Sequence, residues 1–80
     1  MSFKKVIDEL LNDIPSREEF SPYGGLRDEL YTAINAANLH YARSILSDLI
    51  QRCYHKNTEL WALYSRVDDL INNIRNNDGN

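Results

Sequence analysis

Eighty residues amount to one small domain, since domains run to about 100 to 200 residues, and this excludes an enzyme built from separate cofactor and substrate halves. A content of 42% hydrophobic and 26% charged residues, with three Gly and two Pro, is globular rather than disordered or low-complexity. The net charge of -3, the isoelectric point near 5.2 and the lack of any basic cluster larger than Lys4-Lys5 argue against direct binding of nucleic-acid phosphates.

The longest apolar run, Leu60 to Tyr64, is far short of the roughly 20 residues of a membrane span, and no charged segment leads an apolar one into a cleavage site. The expectation is a cytoplasmic protein without membrane insertion. Cys53 is the only cysteine, which suits a reducing compartment and leaves neither a disulfide nor a thiolate cluster for a metal. The charge is uneven. The first thirty residues set four basic side chains against seven acidic ones, while the remaining fifty balance five against five.

Phe3, Val6, Ile7, Leu10, Leu11 and Ile14 recur at helical spacing and form one apolar stripe about 140° wide. This predicts a first helix over 3–14, capped by Ser2 and stopped by Pro15, because the residue before a proline avoids the α region. Ser16-Arg17-Glu18-Glu19 has the form of a capping box, so 16–20 is expected as a short helical turn. Ser21-Pro22-Tyr23-Gly24-Gly25 then reads as a hinge.

Leu26, Leu30, Ala33, Ile34 and Ala37 predict a second helix over 26–37, with Asp28 and Glu29 in its first turn where they complement the helix dipole. Leu39, Ala42, Ile45, Leu46, Leu49, Ile50 and Cys53 predict a third over 39–54. Asn38 is expected either as the left-handed residue ending helix two or as the cap of helix three. The two are read as a tight antiparallel hairpin rather than one fused helix of about 28 residues, since uncapped helices of that length are uncommon. Leu60, Leu63, Val67, Leu70 and Ile74 step by three and four, and predict a fourth helix over 58–75, capped by Asn57 or Thr58. Residues 76–80 contain no apolar side chain and are expected as a flexible tail. The fold expected is all-α: a single domain over 1–75, packed as a small antiparallel bundle of three to four helices.

No constellation for catalysis stands out. The adjacent carboxylates Asp8-Glu9, Glu18-Glu19, Asp28-Glu29 and Asp68-Asp69 point about 100° apart on a helix and read as solvated faces. Cys53 and His55 diverge by about 200° and have no recognised zinc spacing, and Gly24-Gly25 lacks the lysine of a phosphate-binding loop. A non-enzymatic protein is expected, with no cofactor and no metal.

The aromatic residues are more informative. Tyr31, Tyr41, Tyr54 and Trp61 fall at the edges of their stripes, and Trp61 widens the apolar arc of helix four from about 120° to about 180°. Such residues either bury a ring and wet a hydroxyl at the domain boundary or anchor a partner, because Tyr, Trp and Arg are enriched in binding hot spots. Phe20 and Tyr23 form either a second patch or a lid on one end of the bundle. The residues assigned to partner binding are therefore Trp61, Tyr41, Tyr54, Tyr31, Phe20, Tyr23, Asp28 and Glu29, with the acids steering a basic partner. A chain this short buries only about 60% of its unfolded surface, so self-association is expected, with the seam of helix four and Trp61 as the contact of a homodimer.

Two local resemblances accompany this reading. Ala33 to Leu39, followed by Tyr41-Ala42 and Leu46, resembles the small-residue hairpin of tetratricopeptide repeats, although the chain has no internal repeat. Val6 to Ile14 is similar in style to the first helix of small bacteriocin immunity proteins, which are cytosolic antiparallel four-helix bundles; that resemblance spans nine residues. The leading expectation is a small protein that binds another protein through a helical face and regulates or inhibits it. The alternatives are an immunity- or antitoxin-like antagonist, phage or plasmid encoded, and a homo-oligomeric assembly unit.

Overall fold

The chain folds as four α-helices, α1 (Phe3–Asp13), α2 (Gly24–Asn35), α3 (Leu39–Arg52) and α4 (Asn57–Asp78), with 3₁₀ turns at Arg17–Phe20 and Tyr54–Lys56. The structure is a computed structural model and describes residues 2–78, among which there is no strand. Helices consecutive in the chain pack against one another, most extensively α3 against α4, and the pairs are antiparallel. Phe3 and Lys4 of α1 lie beside Asn35 at the far end of α2, and Leu39 and His40 at the start of α3 lie beside Ile71 and Ile74 late in α4.

The apolar stripes meet in one core. Leu10, Leu30, Ile34, Leu46, Leu49, Leu60 and Val67 are fully or almost fully buried, one or more from every helix, and no polar side chain is buried among the described residues. Two of the expected caps form as read: Ser2 Oγ accepts from the Lys5 N–H at 3.2 Å, and the Glu19 carboxylate accepts from the Ser16 N–H at 3.1 Å and its hydroxyl at 3.2 Å; Asn57 and Thr58 do not cap α4 as expected, because both lie inside it and Asn57 Oδ1 accepts no hydrogen bond from the described residues.

Several boundaries differ from the sequence expectation. Helix α2 starts at Gly24, not at Leu26. Its glycines occupy the first turn, where the amides need no intrahelical acceptor, and the Arg17 side chain lies across Gly24 to reach Asp28 Oδ2 at 2.9 Å. Helix α3 ends at Arg52 rather than 54, and Tyr54–Lys56 tightens into a 3₁₀ turn. Helix α4 runs from Asn57 to Asp78, three residues beyond the expected end. Extending a formed helix adds a backbone hydrogen bond per residue without a new nucleus, and the Asn-rich segment contains no proline to stop it. Of the expected tail, Gly79 and Asn80 lie outside the described residues.

The hairpin between α2 and α3 forms, but its left-handed residue is Ala37, with φ 58°, and not Asn38. The Asn38 N–H reaches the Ala33 carbonyl at 2.8 Å and the Ala37 N–H reaches Ile34 at 2.9 Å, a Schellman ending that satisfies two orphan carbonyls of α2. This geometry puts the left-handed residue one position before the helix-three cap, so Asn38 is left to accept the Ala42 N–H at 2.9 Å through its backbone carbonyl.

Alanine in this conformation carries a Cβ penalty that glycine escapes. Ala37→Gly is expected to raise unfolding stability by about 0.5 to 1 kcal/mol in a urea titration, with an unchanged slope.

Glu19 is held below the usual carboxylate range, chiefly by the hydrogen bond from Lys56 and then by those from Ser16. A depressed folded-state value means stability that is present above the ordinary carboxylate range and lost as pH falls through the folded value. Glu19→Gln should flatten that acid limb, measured as unfolding midpoint against pH.

Candidate protein-binding groove

The eight residues assigned to partner binding do not share one face. Phe20 is a correction: it is 0% exposed, and the 3₁₀ turn Arg17–Phe20 turns it inward as a lid on the core instead of outward as a patch. Tyr23 is half-buried beneath the Arg52 guanidinium, 5.5 Å from its ring centre. Tyr31 is exposed on the α1 side of α2, below Arg27, whose Nε donates to the Pro15 carbonyl at 2.9 Å. Tyr54 is 79% exposed on its 3₁₀ turn at one end of the bundle.

Trp61 is 50% exposed on α4, edge-on to Tyr64 with ring centres 5.3 Å apart. Tyr64 in turn stands over the α3–α4 groove opposite Ser44, Ser47 and Gln51. The seam of α4 does not serve as a free contact surface, because Leu60, Leu63, Val67 and Ile71 are buried in the chain's own core. An edge position on a helical wheel faces whichever seam lies on that side, and the edges of four helices open on different seams.

Three of the eight do come together. Asp28, Glu29 and Tyr41 line an open groove between α2 and α3. On α2 its floor is the row Gly25, Glu29, Thr32 and Ala36, spaced by four, three and four so that all four lie within about 60° of one another. Tyr41 and Asn38 form the α3 wall. The Tyr41 hydroxyl donates to Glu29 Oε1 at 3.3 Å. The nearby Glu29 charge, aided by desolvation, pushes the phenol above its ordinary value, so it remains a protonated donor.

The two acids differ in what answers them. Asp28 has Arg17 at 2.9 Å and Arg27 at 3.5 Å, whereas Glu29 has no cationic partner among the described residues. Glu29 alone therefore leaves a negative charge in the groove without a counter-charge. Sequence reasoning singled out the acids and Tyr41 but missed Gly25, Thr32 and Ala36. Their small size hid them on a polar face, although the same spacing used to trace apolar stripes would have joined them to Glu29.

Elsewhere the chemistry is structural. Cys53 is buried at the end of α3, and burial pushes its thiol up, away from nucleophilic use. His55 Nε2 meets the Glu19 carbonyl at 2.7 Å and must be the donor there. No group of three or more metal-ligating side chains occurs among the described residues, and none of the described helices is long and apolar enough to cross a membrane. Comparison with known proteins finds no matching family, no matching curated protein and no matching solved structure.

The contrast between Phe20 and Trp61 is measurable. Phe20→Ala should cost about 3 to 5 kcal/mol in chemical denaturation, the range of a fully buried aromatic, while Trp61→Ala should cost less than about half of that. In dilute protein the Trp61 emission should lie at the wavelength of a solvent-exposed indole; a strongly blue-shifted maximum would show the ring to be covered.

Proposed function

We propose that the protein acts without catalysis, as a small helical module that binds another protein chain in the α2–α3 groove and so regulates or blocks it. The observation that carries this reading is Glu29, a carboxylate with no cationic partner among the described residues, set with Tyr41 in a groove floored by small side chains. Small residues let a partner segment approach closely, and a tyrosine is a low-entropy anchor with a polar tip. The uncompensated charge favours a basic partner and accelerates its approach. An antagonist that covers the basic site of one dedicated target is a narrower form of the same activity.

A photoreactive benzoyl-phenylalanine placed at Thr32, in the groove, and at Glu9, on the outer face of α1, tests the reading in cells that encode the protein. The Thr32 position should give a protein adduct that the Glu9 position does not, and Glu29→Lys should abolish it. Equal adducts from both positions, or none from Thr32, would remove the groove as a binding site.

A further inference from the structure

The groove between α3 and α4 differs in chemistry from the one between α2 and α3. Its floor on α3 is the row His40, Ser44, Ser47 and Gln51, spaced by four, three and four, and Tyr64 is its α4 wall. The Arg43–Asp68 pair sets the register of the two antiparallel helices. One turn along each helix from that pair, Tyr64 faces Ser47, and one turn further Trp61 comes level with Gln51. The planes of Trp61 and Tyr64 are inclined at 71°, so this end of the groove is an aromatic corner.

The fixed charges beside the row are answered within the chain. Arg43 donates to Asp68 at 2.6 Å, and Asp48 accepts from Arg52 at 3.2 Å. The neutral polar groups are not answered: the side chains of His40, Ser44, Ser47 and Gln51 and the Tyr64 hydroxyl have no hydrogen-bond partner among the described residues. Each of the five can donate. The matching occupant is therefore uncharged, presents free carbonyls, and carries an apolar ring for the corner.

Secondary structure decides which backbone meets those terms. A helix bonds its own carbonyls except in its last turn, and a strand brings as many N–H donors as carbonyls. A polyproline II segment has no internal hydrogen bonds, and proline has no N–H in need of an acceptor. We propose that the α3–α4 groove binds a proline-rich protein segment in the polyproline II conformation, with a pyrrolidine ring against Trp61 and Tyr64 and carbonyls accepting from Gln51, Ser47 and Ser44. The row from His40 to Gln51 is about 16 Å long, the span of about five polyproline II residues. Such a segment is extended before it docks, so little conformational freedom is lost on binding. The site is independent of the α2–α3 groove and gives Trp61 a surface of its own.

The test titrates decaproline and acetylated (Pro-Pro-Ala)3 into the full chain, with Trp61, its one tryptophan, as the fluorescent reporter. Emission should change saturably below about 1 mM peptide. In nitrogen-15 correlation spectra the shifts should cluster at Ser44, Ser47, Gln51 and the Trp61 indole. By calorimetry Trp61→Ala should weaken binding at least about tenfold, the loss of one aromatic anchor, while Glu29→Lys in the other groove should leave it unchanged. Gln51→Ala, at an exposed side chain, should weaken it about threefold and repeats this arm if loss of Trp61 unfolds the chain.

Absence of saturable binding by both peptides up to about 1 mM would overturn the proposal. So would shifts that cluster at Glu29 and Thr32, or folded Trp61→Ala and Gln51→Ala variants that bind as the wild type does. Cellohexaose that shifts the same residues while neither proline peptide binds would overturn it by giving the aromatic corner to a sugar.

Discussion

Phe20 enters the core from a single 3₁₀ turn, and the seating of that turn connects the two halves of the chain. Glu19, next to it, accepts from Ser16 at the start of the turn and from Lys56 after α3, while its carbonyl accepts from His55. The connection between α1 and α2 is thereby pinned to the connection between α3 and α4. With the ring in place, α2 begins immediately after the Pro22 turn and presents Arg27 to the Pro15 carbonyl and Glu29 to Tyr41. The orientation of the candidate groove thus follows from how one aromatic ring closes the opposite end of the bundle.

The ion pairs are distributed to the same effect. Arg66 pairs with Asp13 across α4 and α1, and Arg43 with Asp68 at 2.6 Å across α3 and α4. These are surface pairs and each contributes little to stability, but together they decide which charges remain for other uses. Asp28, part of the acidic front half of the sequence, is neutralised by Arg17 and Arg27. What remains in the α2–α3 groove is the Glu29 carboxylate, which has no ion-pair partner among the described residues.

Four helices and most of their core were legible from periodicity, because an apolar stripe at 3.6-residue spacing has few other ways to be buried. The ends were less so. Gly24 and Gly25 read as a break although a first helical turn tolerates them, and Ala37 adopts a conformation ordinarily left to Gly or Asn, with nothing in its side chain to announce it. Tyr31, Tyr41 and Trp61, read at the edges of their stripes, are exposed, whereas Tyr54 is exposed on a turn outside α3 and not at the edge of a stripe. Which seam each edge faces depends on the order of helices around the bundle, and a one-helix pattern carries no such information. Asp28 read as free because Arg17 reaches it from the separate 3₁₀ turn Arg17–Phe20.

The neighbour-on-neighbour packing of the helices bears on how the molecule reaches this state. Helices α2, α3 and α4 follow one another across connections of three and four residues, and α1 joins α2 across ten, so little loop entropy must be lost before apolar contacts form. Bundles of this topology fold in microseconds to milliseconds. Such a chain spends little time with its core leucines open to other molecules.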